Sequence, residues 1–151
     1  LRPDGILDTE ANAMLMEHAK GLSVTFHRAF DRCADPRKAL EELISQGFDR
    51  ILTSGQQPTA LEGTPLLKEL HEQANGRIIL LAGCGVNEQN IATIAQATAI
   101  HEFHFSARTA VKSKMMFSNP DVYMGAKDAD EDTLNITSAE RVANTIAQLC
   151  K

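Results

Sequence analysis

Apolar positions recur at helical spacing in five stretches of the chain and at strand-like spacing in four, and the two kinds of stretch alternate. Met14, Leu15, His18 and Ala19 line one side of a predicted helix that starts at Asp8 or Thr9 and stops at Gly21. A strand is predicted over 22–27. Asp35 then caps a helix with Pro36 in its first turn and Leu40, Leu43 and Ile44 facing inward, ended by Gly47. A second strand covers 48–54, and Thr64-Pro65 repeats the cap-then-proline device before Leu66, Leu67 and Leu70. A third strand covers 77–82. Asn87 is the expected cap of the next helix, which carries Ile91, Ile94 and Ala95, and a fourth strand runs over 101–106. The last helix is announced by Thr137-Ser138-Ala139-Glu140, a capping-box pattern, with Val142, Ile146 and Leu149 on one side.

Strands that alternate with helices through short connections predict right-handed crossovers and a parallel sheet, so the class is α/β. About four βα units make either a small doubly wound sheet or half of a TIM (β/α)8-type barrel, whose usual length is about 250 residues. Side-chain parity favours the partial barrel. Ser23, Thr25 and His27 point opposite to Val24 and Phe26, and Glu102, His104 and Ser106 opposite to Phe103 and Phe105, which gives two strands a polar inner face. The run Ile78 to Leu81 predicts a strand buried on both faces. The segment 107–136 has no clear periodicity and reads as a long loop after the last strand, of the kind that forms an active site or a binding surface.

Composition narrows the class of function. The chain has 151 residues, a net charge of −5, one Tyr and no Trp. It therefore lacks the basic stripe and stacking aromatics of a nucleic-acid binder. No apolar run approaches a membrane span, and no leader opens the chain. Three irregularly spaced cysteines, Cys33, Cys84 and Cys150, make neither a disulfide framework nor a zinc knuckle, and a reducing cytoplasm is the expected compartment. Leu1 in place of Met suggests a processed chain or a piece of a longer one.

Parallel α/β folds place their sites at the carboxyl ends of the strands. There the sequence holds His27, Arg28 and Asp31, then Ser54, then Gly83-Cys84-Gly85, then His104, Ser106 and Arg108. His27 and His104 are expected to do acid–base work, with Asp31 orienting or activating His27. The alternative is that each His is a satisfied buried polar group. Arg28 and Arg108 either clamp an anion or pair with loop carboxylates. Gly83 and Gly85 suit an anion site ahead of the next helix, though the same glycines make tight turns, and Glu88 stands where a dinucleotide fingerprint needs its third Gly. Cys33 and Cys84, with His27 and Met115, Met116 or Met124, are possible soft ligands for Cu(I), against a plain packing role.

The strings Val24-Thr25-Phe26-His27-Arg28-Ala29-Phe30-Asp31, Arg50-Ile51-Leu52-Thr53-Ser54-Gly55 with Ala60-Leu61-Glu62-Gly63, Ala82-Gly83-Cys84-Gly85-Val86 and Glu102-Phe103-His104-Phe105-Ser106-Ala107-Arg108 resemble the CutC family of copper homeostasis proteins. The resemblance implies a cytosolic TIM-type barrel of which residues 1–151 are the carboxy-terminal portion and the last four strands. The family's copper proposals rest mostly on Glu- and Cys-containing segments of its earlier strands, which this sequence lacks. The family usually has a small residue where Cys84 stands, so the resemblance carries no metal role to it. Two functions are therefore expected of different classes. One is copper homeostasis through cytosolic copper binding. The other is a barrel enzyme acting on a small anionic or phosphorylated metabolite by His/Asp acid–base chemistry. Either predicts a homo-oligomer or pairing with a missing half-barrel, because a half-barrel leaves sheet edges uncovered.

Overall fold

The computed structural model describes residues 1–119, 121, 122, 125 and 130–150. Its order is α1 (Thr9–His18), β1 (Thr25–Phe26), a 3-10 turn (Arg28–Arg32), α2 (Pro36–Ser45), β2 (Arg50–Thr53), α3 (Thr64–Ala74), β3 (Ile79–Gly83), α4 (Ile91–Thr98), β4 (Glu102–His104), β5 (Arg108–Lys112), β6 (Thr133–Thr137) and α5 (Ala139–Ala147). Strands β1 to β4 form one sheet in sequence order, each pair parallel. The alternating helices and strands thus build the expected α/β sheet. Among the described residues no helix is long and apolar enough to cross a membrane.

Several helix ends follow their sequence signals. The Asp8 carboxylate accepts the Ala11 N–H, and the Asp35 carboxylate accepts from Arg37 and Lys38 N–H just outside Pro36. Gly47, at φ +81°, ends α2 in a Schellman motif: its N–H reaches Ile44 O and the Phe48 N–H reaches Leu43 O. Three expected caps are displaced. Thr64 lies inside α3 and Gly63 precedes it, because only a glycine fits there: a Cβ on Gly63 would stand 1.8 Å from Ser54 O. Asn87 instead forms a turn, its side-chain oxygen holding the Gln89 N–H while Asn90 accepts from Asn87, so α4 starts only at Ile91. In α5 the cap is Ser138, which accepts from Arg141 N–H. Thr137 stays in β6, so Glu140 does not reach the position a capping box needs.

The sheet has a covered and an uncovered face. Register sets Phe26, Ile51 and Leu80 in one row and Thr53, Ala82 and Phe103 in another, and most of these are buried beneath the helices with Leu40, Leu43, Leu67, Leu70, Ile91 and Ile94. The opposite rows are Thr25, Arg50 and Ile79, then Leu52, Leu81 and Glu102, then Gly83 and His104. The polar parity read for the first and fourth strands falls on this uncovered face. Burial of β3 on both faces does not hold: Leu80 and Ala82 are buried, but Ile79 is 39 % exposed because nothing lies over it. Arg50 bridges the face, giving two hydrogen bonds to Glu102 (2.7 and 3.2 Å) and one to Ser23 Oγ (2.9 Å).

The stretch expected as a loop over 107–136 is bounded by an antiparallel ribbon, with Arg108 opposite Thr137 and Lys112 opposite Thr133. The cross-strand neighbours Thr109–Ile136 and Val111–Leu134 set β-branched and apolar side chains on one face, which holds such a ribbon together.

Candidate functional site

The chain leaves β1 at His27, which caps the 3-10 turn by accepting the Ala29 N–H on Nδ1 at 3.0 Å and stacks on Phe26 with ring centroids 5.7 Å apart. An acceptor Nδ1 places the proton of the neutral ring on Nε2. The turn brings Asp31 back over the end of β2, where its side chain is only 7 % exposed. Its oxygens accept from Thr53 Oγ1 at 2.6 Å, Arg28 Nε at 2.7 Å, Ser54 N–H at 3.0 Å and Gln56 N–H at 3.2 Å. Burial, the largest single influence, pushes the Asp31 carboxyl up. The Thr53 hydroxyl, the Arg28 guanidinium and the backbone donors together outweigh it and hold the carboxyl below its ordinary value.

Asp31 is therefore an ionised anchor, and its expected pairing with His27 is corrected: one binds the 53–56 turn and Arg28, the other a backbone N–H. Arg28 also donates to Ser54 Oγ at 2.9 Å, and the neighbouring Asp31 raises its pKa. Of the alternatives open for Arg28, carboxylate pairing is the one observed. Ser54 Oγ lies 2.6 Å from the Gln57 carbonyl, to which it donates. The turn closes where Gly55 meets Gly63, since a Cβ on Gly55 would sit 2.4 Å from Gly63 O.

A second group of residues lies beyond β3 and β4. A cavity of about 300 Å³ is lined by Cys84, Gly85, Asn87, His104, Ser106, Arg108 and Arg141, among others. Gly83 is buried at the end of β3, where a Cβ would meet Leu52 Cδ1 at 2.6 Å and His104 Cβ at 3.2 Å. The helix expected to start near Asn87, after Gly83 and Gly85, begins only at Ile91, four residues further on. Cys84 holds φ +85° and its Sγ donates to Pro58 O at 3.1 Å. Arg108 makes no hydrogen bond or ion pair through its side chain among the described residues, whereas Arg141 is committed. Arg141 gives two hydrogen bonds to Glu88 (2.9 and 3.0 Å) and a third to the Arg108 carbonyl.

Asn87 and Arg141 are cavity residues that sequence reading missed. The signal for Arg141 was its place in the first turn of a clearly capped helix that follows the fourth strand.

The thiols are not brought to one place. Cys33 is buried away from the cavity, its Sγ 3.5 Å from Gln56 Nε2, and burial, with Asp35 nearby, pushes its pKa up to about 11. Met115 and Met116 are exposed beyond β5, and Met124 lies outside the described residues. Among the described residues no three His, Cys, Asp or Glu side chains converge to hold a metal ion. Cys33 and Cys84 line different cavities. The soft pair that does share a cavity is Cys84 with His104.

The sequence profile of the CutC family matches residues 1–109. A CutC family protein of Bacteroides thetaiotaomicron is 59 % identical over 147 residues, 97 % of this chain and 59 % of that protein. One of Bacteroides fragilis is 57 % identical over 150 residues, 99 % of this chain and 60 % of that protein. The chain thus spans about three-fifths of the length of these curated relatives. Among solved structures, the putative copper homeostasis protein CutC from Streptococcus agalactiae matches with a TM-score of 0.66 and 35 % identity, over 69 % of this chain and 51 % of that one.

Proposed function

The chain belongs to the CutC family, and from that premise we propose that its strand-end surface binds a small anionic metabolite and moves a proton on it. The observation that carries this reading is Arg108. It lies on the wall of a cavity large enough for such a ligand, while Arg141 on the same wall is already neutralised by Glu88, and Arg28, after β1, by Asp31. An unpaired guanidinium beside a cavity is complementary to a carboxylate or phosphate. Ser106 would add a hydroxyl donor, and the imidazole of His104 is the cavity group suited to carry a proton to or from the ligand. His27 Nε2, at the end of β1 with β2 between it and β3, is the second proton carrier. Asp31, Ser54 and Arg28 shape the floor between them and touch no proton in transit. Three free cysteines suit a reducing cytoplasm for this activity.

Calorimetric titration with a panel of sugar phosphates and small carboxylates tests the reading. One anion is expected to bind, and Arg108→Ala to weaken it roughly tenfold or more, the usual scale for a charge-assisted contact. If no anion binds, or if Arg108→Ala leaves affinity unchanged, the reading fails.

The shared cavity of Cys84 and His104 favours a second reading, in which copper is cargo held by a thiolate and an imidazole. It expects Cu(I) binding under reducing conditions that is abolished by Cys84→Ser and untouched by Arg108→Ala.

A further inference from the structure

We propose that Arg141 is the positioning residue for Arg108: one guanidinium ties the Arg108 carbonyl to the Glu88 carboxylate and so fixes how Arg108 meets the cavity beyond β3 and β4. This role rests on the reading of Arg108 as the anion's partner and names what holds that partner in place. Arg108 stands where the chain needs holding. The main sheet ends at His104 and the ribbon begins at Arg108. Between them the buried Ala107 takes φ +45°, a conformation that a side chain with a Cβ seldom adopts. A turn of this kind persists only where its surroundings determine it.

The start of α5 does the holding. The Ser138 N–H donates to Ala107 O at 3.0 Å, and Arg141 Nη1 donates to the next carbonyl, that of Arg108. The backbone that carries Arg141 is itself pinned, because its N–H donates to Ser138 Oγ at 3.3 Å and its carbonyl accepts from Thr145 Oγ1 at 2.7 Å. Two consecutive carbonyls at the turn are thus gripped from one helix end.

On its other side the same guanidinium meets Glu88, in the connection between β3 and α4, with Nε at 2.9 Å and Nη2 at 3.0 Å from the two carboxylate oxygens. Two bonds to one carboxylate fix the plane of the guanidinium as well as its place. Arg141 also holds the Glu88 carboxyl below its ordinary value, so the pair is ionised at neutral pH. A single ion pair this open to solvent adds little to stability, so its effect is geometric. It joins the cavity wall made by Gly85 and Asn87 to the wall made by Ser106 and Arg108. Lysine cannot replace the fork, since one compact ammonium on a flexible stem does not hold two carboxylate oxygens and a carbonyl in a fixed plane.

Backbone NMR relaxation of the full chain tests the proposal without any ligand. The Ala107 and Arg108 amides are expected to have order parameters of about 0.85 in wild type and to fall toward about 0.6 in Arg141→Lys and in Glu88→Gln, while the amides of β2 and β3 stay unchanged. Glu88→Gln keeps the side-chain shape and carries the test if Arg141→Lys does not fold. Inorganic phosphate is then titrated. Arg141→Lys is expected to weaken its binding roughly three- to tenfold when Arg108 is present and to add nothing in the Arg108→Ala background, because residues that act through one another are not additive. Equal weakening in both backgrounds overturns the proposal, since Arg141 would then touch the anion itself. Order parameters that neither variant changes overturn it too, and they do so even where phosphate binds through Arg108. Order that depends on both variants without any phosphate binding sustains the positioning and counts against the anion reading alone.

Discussion

Asp31 concentrates more of the site's order than any other side chain. It gathers a hydroxyl, a guanidinium and two backbone N–H groups, and it is held below its ordinary pKa by them. Replacing it by Asn leaves Arg28 uncompensated and removes an acceptor from the 53–56 turn, at an expected cost of about 1–3 kcal/mol in urea unfolding at neutral pH. The pH dependence has a definite sign. A carboxyl whose folded pKa lies below its unfolded one stabilises fully above the unfolded value, near 3.9, and loses that stabilisation as pH falls through the folded value. The gap between wild type and Asp31→Asn should therefore be constant above about pH 5 and narrow below it. A gap that does not narrow would assign the cost to shape and not to charge. Cys33 provides the opposite case. With a pKa near 11 and a buried Sγ, it is expected to resist alkylation at pH 8 in the native protein and to react on unfolding, as read by mass spectrometry. The sequence placed Asp31 and His27 together at the end of the first strand but paired them wrongly. Proximity along the chain said nothing of the 3-10 turn that aims one at a strand end and the other at its own backbone.

At the scale of elements, the signals that read correctly were those a few neighbouring residues decide. Asp8 and Asp35 cap where expected because each needs only an N–H two or three residues ahead. Asn87 does not, because the Asn90 side chain three residues ahead draws it into a turn, and Thr64 does not, because a distant contact intervenes and presses Gly63 against Ser54. The ribbon of β5 and β6 was illegible for the same reason, since its pairing spans the long segment between them and each strand alone is weakly patterned. The contact of Gly63 with Ser54 gives a sharp expectation. Gly63→Ala would set a methyl group 1.8 Å from a carbonyl oxygen, forcing the 54–63 loop open and withdrawing the Ser54 and Gln56 donors from Asp31. A loss of about 1–3 kcal/mol is expected in unfolding, together with a rise in the Asp31 pKa measurable by carboxyl NMR. A variant of wild-type stability with an unshifted Asp31 would show that the loop adapts without cost.

For the whole molecule, hydrophobic periodicity was enough to read four parallel strands and the polar parity of their inner face, because both follow from which residues must be buried. What periodicity cannot supply is what covers the other face. The core is confined to the middle of the chain: α2, α3 and α4 bury their apolar residues on β2 and β3, whereas α1 buries none and α5 one. Local stability follows buried apolar contact, so amide exchange should divide the chain sharply. In dilute solution, peptides covering Pro36–Ser45, Thr64–Ala74 and Ile79–Gly83 are expected to exchange slowest, and those covering Thr9–His18 and Ala139–Ala147 to exchange orders of magnitude faster. Protection that is uniform along the chain would mean that the flanking helices are held as firmly as the centre of the sheet.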